Sequence, residues 1–143
     1  MNFALHFRNS TFPSPKDVKN IALTAEAAGF KNIIAVEHVV IPPTYKTKYP
    51  YNETGGLPSD MKMAWPDSFT WPTFVGGVTT KLLLIIGVLV LPQRNPLILA
   101  NHLVTTQYLI EGRFELGVRV GYGKSLIHWE FGSNDEGFEW IPF

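Results

Sequence analysis

Two short polar clusters, each at the end of an apolar run, carry the residue types that do chemistry. The first is Glu37-His38 in "IIAVEHVVIPP", a carboxylate beside an imidazole. An imidazole titrates near working pH, which suits a general base or a group that stabilises charge at a reacting centre. The second is Gln93-Arg94-Asn95 in "GVLVLPQRNP", three polar side chains held between two prolines. Two further apolar runs end in His6, Phe7 and Arg8 and in Arg119, Val120 and Gly121. Gly87, inside the greasy run that begins at Leu82, marks a bulge or a close approach by a ligand or another backbone.

Each of these residues also has a plain structural reading. Spacing alone favours an ordinary polar strand terminus for Glu37 and His38. A turn accounts for residues 93–95, with Asn95 capping the helix that follows, and Gly87 relieves crowding. The four histidines, at positions 6, 38, 102 and 128, show no metal-ligand spacing, so no metal site is expected. "GVRVGYG" lacks the pattern of a phosphate loop, and no Ser or Cys stands in a nucleophile elbow.

The elements that position these residues alternate along the chain. "NFALHF" reads as a short buried strand. "STFPSPKDVKNIALTAEAAGF" reads as a helix with Ser14 as cap, Pro15 in the first turn, Asp17 at the positive end of the dipole and Gly29 as the stop. Val18, Ile21, Ala22, Ala25 and Ala28 form its buried stripe. "NIIAV" is the second strand. Residues 39–66 show no periodicity and are rich in Pro, Gly, Tyr and Lys, which marks a functional or mobile loop. "PDSFTWPTFVGGVTT" is a weak helix capped by Asp67, with Phe69, Phe74, Val75 and Val78 facing a core and Pro72, Gly76 and Gly77 opposing it.

"KLLLIIGVLVL" is a third strand, apolar on both faces as covered parallel strands are. The helix begun by Asn95 and Pro96 has Ala100, Leu103, Val104, Gln107 and Ile110 as its inner stripe and ends at Gly112. "RFELGVRVG" is the fourth strand, and residues 124–143 form an atypical tail with no clean period. Strand, helix, strand with short connections makes right-handed parallel pairs. The pattern is α/β, either half of a (β/α) barrel or a doubly wound sheet, and chemistry then gathers at the C-terminal strand ends.

Length and charge narrow the function. One domain is expected in 143 residues, of which 45% are hydrophobic. Twelve basic residues balance twelve acidic ones without clustering, which argues against nucleic-acid and membrane-surface partners. The run from Leu82 to Leu91 is about half of the ~20 apolar residues needed to span a bilayer. With no signal peptide visible, a cytoplasmic location is expected.

Taken together, "ALHF", "EHVVIPP", "YPY", "GVLVLPQRNPLILA" and "GRFELGVRVG" resemble the N-terminal half of the luciferase-like monooxygenase superfamily, over about residues 1–123. They are most similar to the branch that uses the deazaflavin coenzyme F-420. The resemblance implies an incomplete (β/α)8 TIM-type barrel with about the first four βα units, and a flavin-type cofactor at its C-terminal face, deazaflavin or alternatively FMN. It implies catalytic roles for Glu37 and His38. It also implies a third-strand bulge at Gly87 and Val88, often with a non-proline cis peptide, that presses on the cofactor ring. Phe7, Gln93, Arg94 and Gly121 fall at the strand ends facing that pocket, and Tyr49 and Tyr51 in the long loop could close over a small-molecule substrate.

The reaction implied is hydride transfer or, with FMN, oxygen activation. Arg119 departs from the small residue usual at its position. Half a barrel exposes two sheet edges and an apolar inner face, so a homo-oligomer or a complementing chain is expected to cover it. The competing expectation is a non-catalytic half-barrel remnant or interaction module. A doubly wound nucleotide-binding domain is disfavoured because no G-x-G-x-x-G follows the first strand.

Overall fold

Four short strands run parallel in the order in which the chain makes them: β1 (Ala4–His6), β2 (Asn32–Ala35), β3 (Leu83–Val90) and β4 (Phe114–Arg119). The computed structural model describes residues 2–6, 8–12, 14–39 and 64–120. A doubly wound sheet reverses its strand order at a switch point; sequential order without reversal is the arc of a (β/α) barrel. Between the strands lie α1 (Arg8–Thr11), α2 (Pro15–Ala27), α3 (Thr70–Val78) and α4 (Pro96–Leu109). No described helix is long and apolar enough to cross a membrane.

The helices cover one face of the sheet. Ile33, Ala35, Leu84, Ile86, Leu89 and Phe114 are buried there, against Val18, Ala22 and Ala25 of α2 and Trp71 and Val75 of α3. Each fully buried aliphatic side chain of this layer stabilises the fold by about 1.5–3 kcal/mol. Residues on the opposite face, such as Ile34, Ile85 and Glu115, are half-buried or exposed. Gly76 sets how closely α3 approaches the end of α4, because a Cβ there would lie 2.3 Å from Ile110 Cγ2.

Helix ends follow their capping signals. The Ser14 Oγ accepts from the Asp17 N–H at 3.2 Å, and the Asn95 Oδ1 accepts from Leu97 and Ile98 N–H at 3.0 and 3.3 Å. Asp67 Oδ1 accepts from the Phe69 and Thr70 N–H groups at 3.0 and 2.8 Å. Gly29 and Gly112 sit at φ 83° and 78°, the left-handed region that lets a helix stop and turn into a strand.

Three buried stripes differ from the sequence pattern. Phe74 is exposed, and Phe69, Trp71 and Val75 do its expected work. On α4 the buried side chains are Leu99 and Thr106, with Leu103 half-buried, while Ala100, Val104 and Gln107 face solvent. The helix is apolar all round and carries no charged residue, so periodicity cannot choose between stripes one residue apart. On α2, Ala28 is exposed because it lies past the helix end at Ala27, and Ile21 is half-buried at the margin of the stripe formed by Val18, Ala22 and Ala25.

The rim at the N-terminal ends of the strands is held by two charged side chains. Glu26 Oε1 accepts from the N–H groups of Thr80, Lys81 and Leu82 at 2.9, 2.5 and 3.2 Å. Burial raises the Glu26 carboxyl, but these N–H donors and the Arg113 charge bring it below the ordinary carboxylate value. Arg113 in turn donates to the carbonyls of Gly76, Thr79 and Leu82 at 2.9, 3.0 and 3.0 Å. The turn from α3 into β3 is therefore gripped by an anion on its donors and a cation on its acceptors.

Candidate functional site

The first polar cluster emerges directly from β2. Its last paired residue is Ala35, and the backbone of Val36 continues the strand line into Glu37 and His38. Asn9 of α1 is fully buried beside it: its Nδ2 donates to Val36 O at 2.7 Å and its Oδ1 accepts from Val36 N–H at 3.1 Å. The second cluster follows β3 through a 3₁₀ turn (Leu91–Gln93).

Glu37 joins the two clusters. Its side chain is 2% exposed, and it accepts from the Val90 N–H through Oε2 at 2.6 Å and from the Ser68 hydroxyl through Oε1 at 3.0 Å. The Arg94 guanidinium closes the site with an ion pair to Oε1. A second carboxylate, Asp67 Oδ2, lies 3.8 Å from the same guanidinium nitrogen, and the Phe69 ring lies 5.8 Å below its carbon. Burial raises the Asp67 carboxyl, but the donors of Thr70 and Phe69 and the nearby Arg94 bring it below its ordinary value. The strand end, the 3₁₀ turn and the start of α3 are thus tied at one buried carboxylate.

His38 lies at the edge of this junction, half-buried, with its ring meeting that of Trp65 edge-on at 4.6 Å between centroids. Burial holds its pKa below the ordinary imidazole value, against an opposing pull from the Glu37 charge. At neutral pH the ring is uncharged and can accept a proton.

On β3 the ladder to β4 slips by one residue: Ile86 pairs with Leu116, but Leu89 pairs with Val118. The extra residue is a bulge containing Gly87 and Val88, and the peptide bond between them is cis. Burial shows the same phase change, with Leu84, Ile86 and Leu89 buried and both Gly87 and Val88 half-buried. Glycine is required at two positions around the bulge: a Cβ at Gly87 would lie 2.8 Å from Ile34 Cγ2, and one at Gly117 on β4 would lie 2.9 Å from Ile86 O.

The expected residues therefore divide. Glu37, His38, Gln93 and Arg94 come together at the C-terminal ends of β2 and β3, with Gly87 and Val88 one step inside the strand. Asn95 is a helix cap, its structural reading. Phe7, Gly121, Tyr49, Tyr51 and His128 lie outside the described residues. The sequence reading missed Asn9, Trp65 and Ser68. Only a polar pair inside the aromatic stretch "HFRNSTF" and a lone Trp before the Asp67 cap signalled them.

Polar capacity is left over at this rim. Trp65 Nε1, Gln93 Oε1 and Arg94 Nε are buried without a hydrogen-bond partner among the described residues. Among the described residues this rim thus offers a polar ligand two donors, Trp65 Nε1 and Arg94 Nε, and one acceptor, Gln93 Oε1.

Comparison with known proteins agrees with this geometry. The luciferase-like monooxygenase family matches residues 2–136. Uncharacterized proteins of Mycobacterium tuberculosis and Mycobacterium bovis are 32% identical over 98 residues, which is 68% of this chain and 34% of theirs. Among solved structures, the oxygenating constituent of 3,6-diketocamphane monooxygenase from Pseudomonas putida, a type II Baeyer-Villiger monooxygenase in complex with FMN, superposes with a TM-score of 0.64 at 16% identity. That match covers 92% of this chain and 32% of the other. The monooxygenase RslO1 from Streptomyces bottropensis gives a TM-score of 0.64 at 22% identity over 95% of this chain and 38% of its own. The chain spans about a third of the length of the relatives it matches. Sequential parallel strands, a bulged third strand and polar strand ends accompany a family match over most of the residues: the chain belongs to the luciferase-like monooxygenase family.

Proposed function

We propose that this segment supplies the first half of a flavin-type cofactor site in a luciferase-like oxidoreductase acting on a small organic substrate. The observation that carries the reading is the junction at Glu37, which brings His38, Trp65, Gln93 and the Gly87–Val88 bulge to one rim. These residues fit a flat ring with polar edges. Gly87 and Val88 offer a half-buried apolar surface without side-chain bulk at the glycine, and the unpaired Trp65 Nε1 and Gln93 Oε1 offer a donor and an acceptor.

The bound cofactor would supply hydride transfer or oxygen activation. The protein's own groups do the rest. His38, held neutral by burial, accepts a proton from substrate or stabilises charge beside the reacting centre. Glu37 has both oxygens engaged by Ser68, Val90 and Arg94, so its part is to hold the strand ends together rather than to exchange protons. Arg94 acts through Glu37 in the same way, leaving Gln93, Gly87 and Val88 as the residues that would hold the cofactor.

The resemblance of "EHVVIPP" and "LPQRNP" favours deazaflavin coenzyme F-420. FMN is the second reading, favoured by the FMN complex of the Pseudomonas putida relative. Among the described residues β1 and β4 are the outer strands of the sheet, so a continuation of the barrel, a second copy or a complementing chain would complete the site. Fluorescence titration with oxidised F-420 and then FMN tests the proposal. Saturable binding of one of them, weakened at least tenfold by Val88→Lys, is expected. Failure of both to bind would refute a cofactor site that works in this chain by itself and favour an interaction module.

A further inference from the structure

We infer that Asn9 is the positioning residue for His38, its side-chain amide standing in for the first strand beside Val36. The inference deepens the proposed role of His38 and relies on that role only for its bearing on catalysis.

The β1–β2 ladder ends early. Ala4, Leu5 and His6 pair with Asn32, Ile33 and Ile34, and the chain then leaves the sheet to form α1. The strand line of β2 continues past that point, so the N–H and C=O of Val36 lose their neighbour while remaining buried. Asn9 replaces it: one amide donates to the carbonyl and accepts from the N–H of the same residue. Among neutral side chains only Asn and Gln carry an adjacent donor and acceptor, and Asn has the shorter reach.

Val36 is two residues before His38. On the other side of the same segment, Glu37 is fastened to the Val90 N–H of β3. The segment 36–38 is thus held between its two sheet neighbours, by an amide on the β1 side and a carboxylate on the β3 side. Without the Asn9 amide, the backbone groups of Val36 are held only through its neighbours Ala35 and Glu37, and a shift there would displace the imidazole from its contact with Trp65. Burial beside Trp65 is what separates His38 from an ordinary surface histidine, and Glu37 is the charged group acting on it. Loss of the Asn9 amide therefore has a signature at His38 that simple destabilisation lacks.

The experiment is an NMR titration of the His38 ring in the cofactor-free protein, comparing wild type, Asn9→Ala and Thr79→Val. Thr79 is also a buried polar residue, at the opposite rim, with its hydroxyl donating to Val75 O at 2.8 Å and accepting from Arg113 at 3.3 Å, so its variant controls for lost stability. The expected result is an upward move of the His38 midpoint toward the ordinary imidazole value in Asn9→Ala, with no move in Thr79→Val. An unchanged midpoint in Asn9→Ala, or equal moves in both, would overturn the inference. Should Asn9→Ala fail to fold, hydrogen exchange in the wild type decides. The Val36 amide is expected to be protected like the ladder amides of β2, and exchange at a free-amide rate refutes the tether. Neither measurement contains a cofactor, so its outcome is independent of the flavin titration.

Discussion

Replacing Glu37 with Gln isolates the charge of the buried junction while keeping its shape. The carboxylate receives three donors, the Val90 N–H, the Ser68 hydroxyl and the Arg94 guanidinium, on two oxygens. Gln offers one acceptor oxygen, so its NH₂ must face either Val90 or Arg94, both of which are donors. Removing one partner of a buried ion pair costs about 3–5 kcal/mol when the other is left uncompensated. Here Arg94 is 19% exposed and has Asp67 at 3.8 Å, so part of its charge is relieved by water and the second carboxylate. The expected loss for Glu37→Gln is therefore about 2–3 kcal/mol, and Glu37→Ala, with all three donors stranded, should reach about 3–5 kcal/mol. Urea denaturation at neutral pH measures both, provided the m-value stays constant. Glu37→Gln with Arg94→Met should be less unstable than the sum of the single changes, by about 1.5 kcal/mol or more, since no charge is then unpaired. A Glu37→Gln loss below about 0.5 kcal/mol, or strict additivity, would refute the buried pair as the tie between β2 and β3.

Two neighbouring glycines of α3 should respond with opposite signs. Gly76→Ala drives a Cβ into Ile110 and is expected to lower stability by about 1–3 kcal/mol. Gly77→Ala enters open space and should raise it by up to about 1 kcal/mol through helix propensity; thermal melts that rank the two alike would contradict the packing. Glu26 sits below its ordinary pKa in the folded state, so its stabilisation is present above the unfolded-state carboxylate pKa and is lost as pH falls through the lower native value. The stability gap between wild type and Glu26→Gln should therefore close on acidification, and a gap constant with pH would rule out the N–H grip on the carboxylate.

What the sequence made legible were features encoded by local chemistry. Ser14, Asp67 and Asn95 cap as their types and places require, and Gly29 and Gly112 stop helices where the apolar periodicity ends. The parallel order followed from alternation, and the bulge from a glycine inside an apolar run. The stripe of α4 was illegible because Leu97, Leu99, Leu103, Val104 and Leu109 surround the helix, and only contact with Ile86, Phe114 and their neighbours selects Leu99. Asn9 was illegible for a different reason. Its partner lies 27 residues away on another strand, and no local pattern marks an amide that substitutes for a backbone. Glu37 and His38 were found as a pair, but their separation into a fastened carboxylate and a buried neutral imidazole depends on Ser68, Val90 and Arg94.

The placement of Glu26 and Arg113 bears on how this segment can change over generations. They grip the turn between α3 and β3 at the rim remote from His38, mainly through backbone groups, with the Thr79 hydroxyl as one side-chain partner of Arg113. Substitutions in the loops around His38 leave that grip untouched. New side chains can then be sampled by drift at one end of the strands while the anchoring pair at the other end keeps the lineage above its folding threshold.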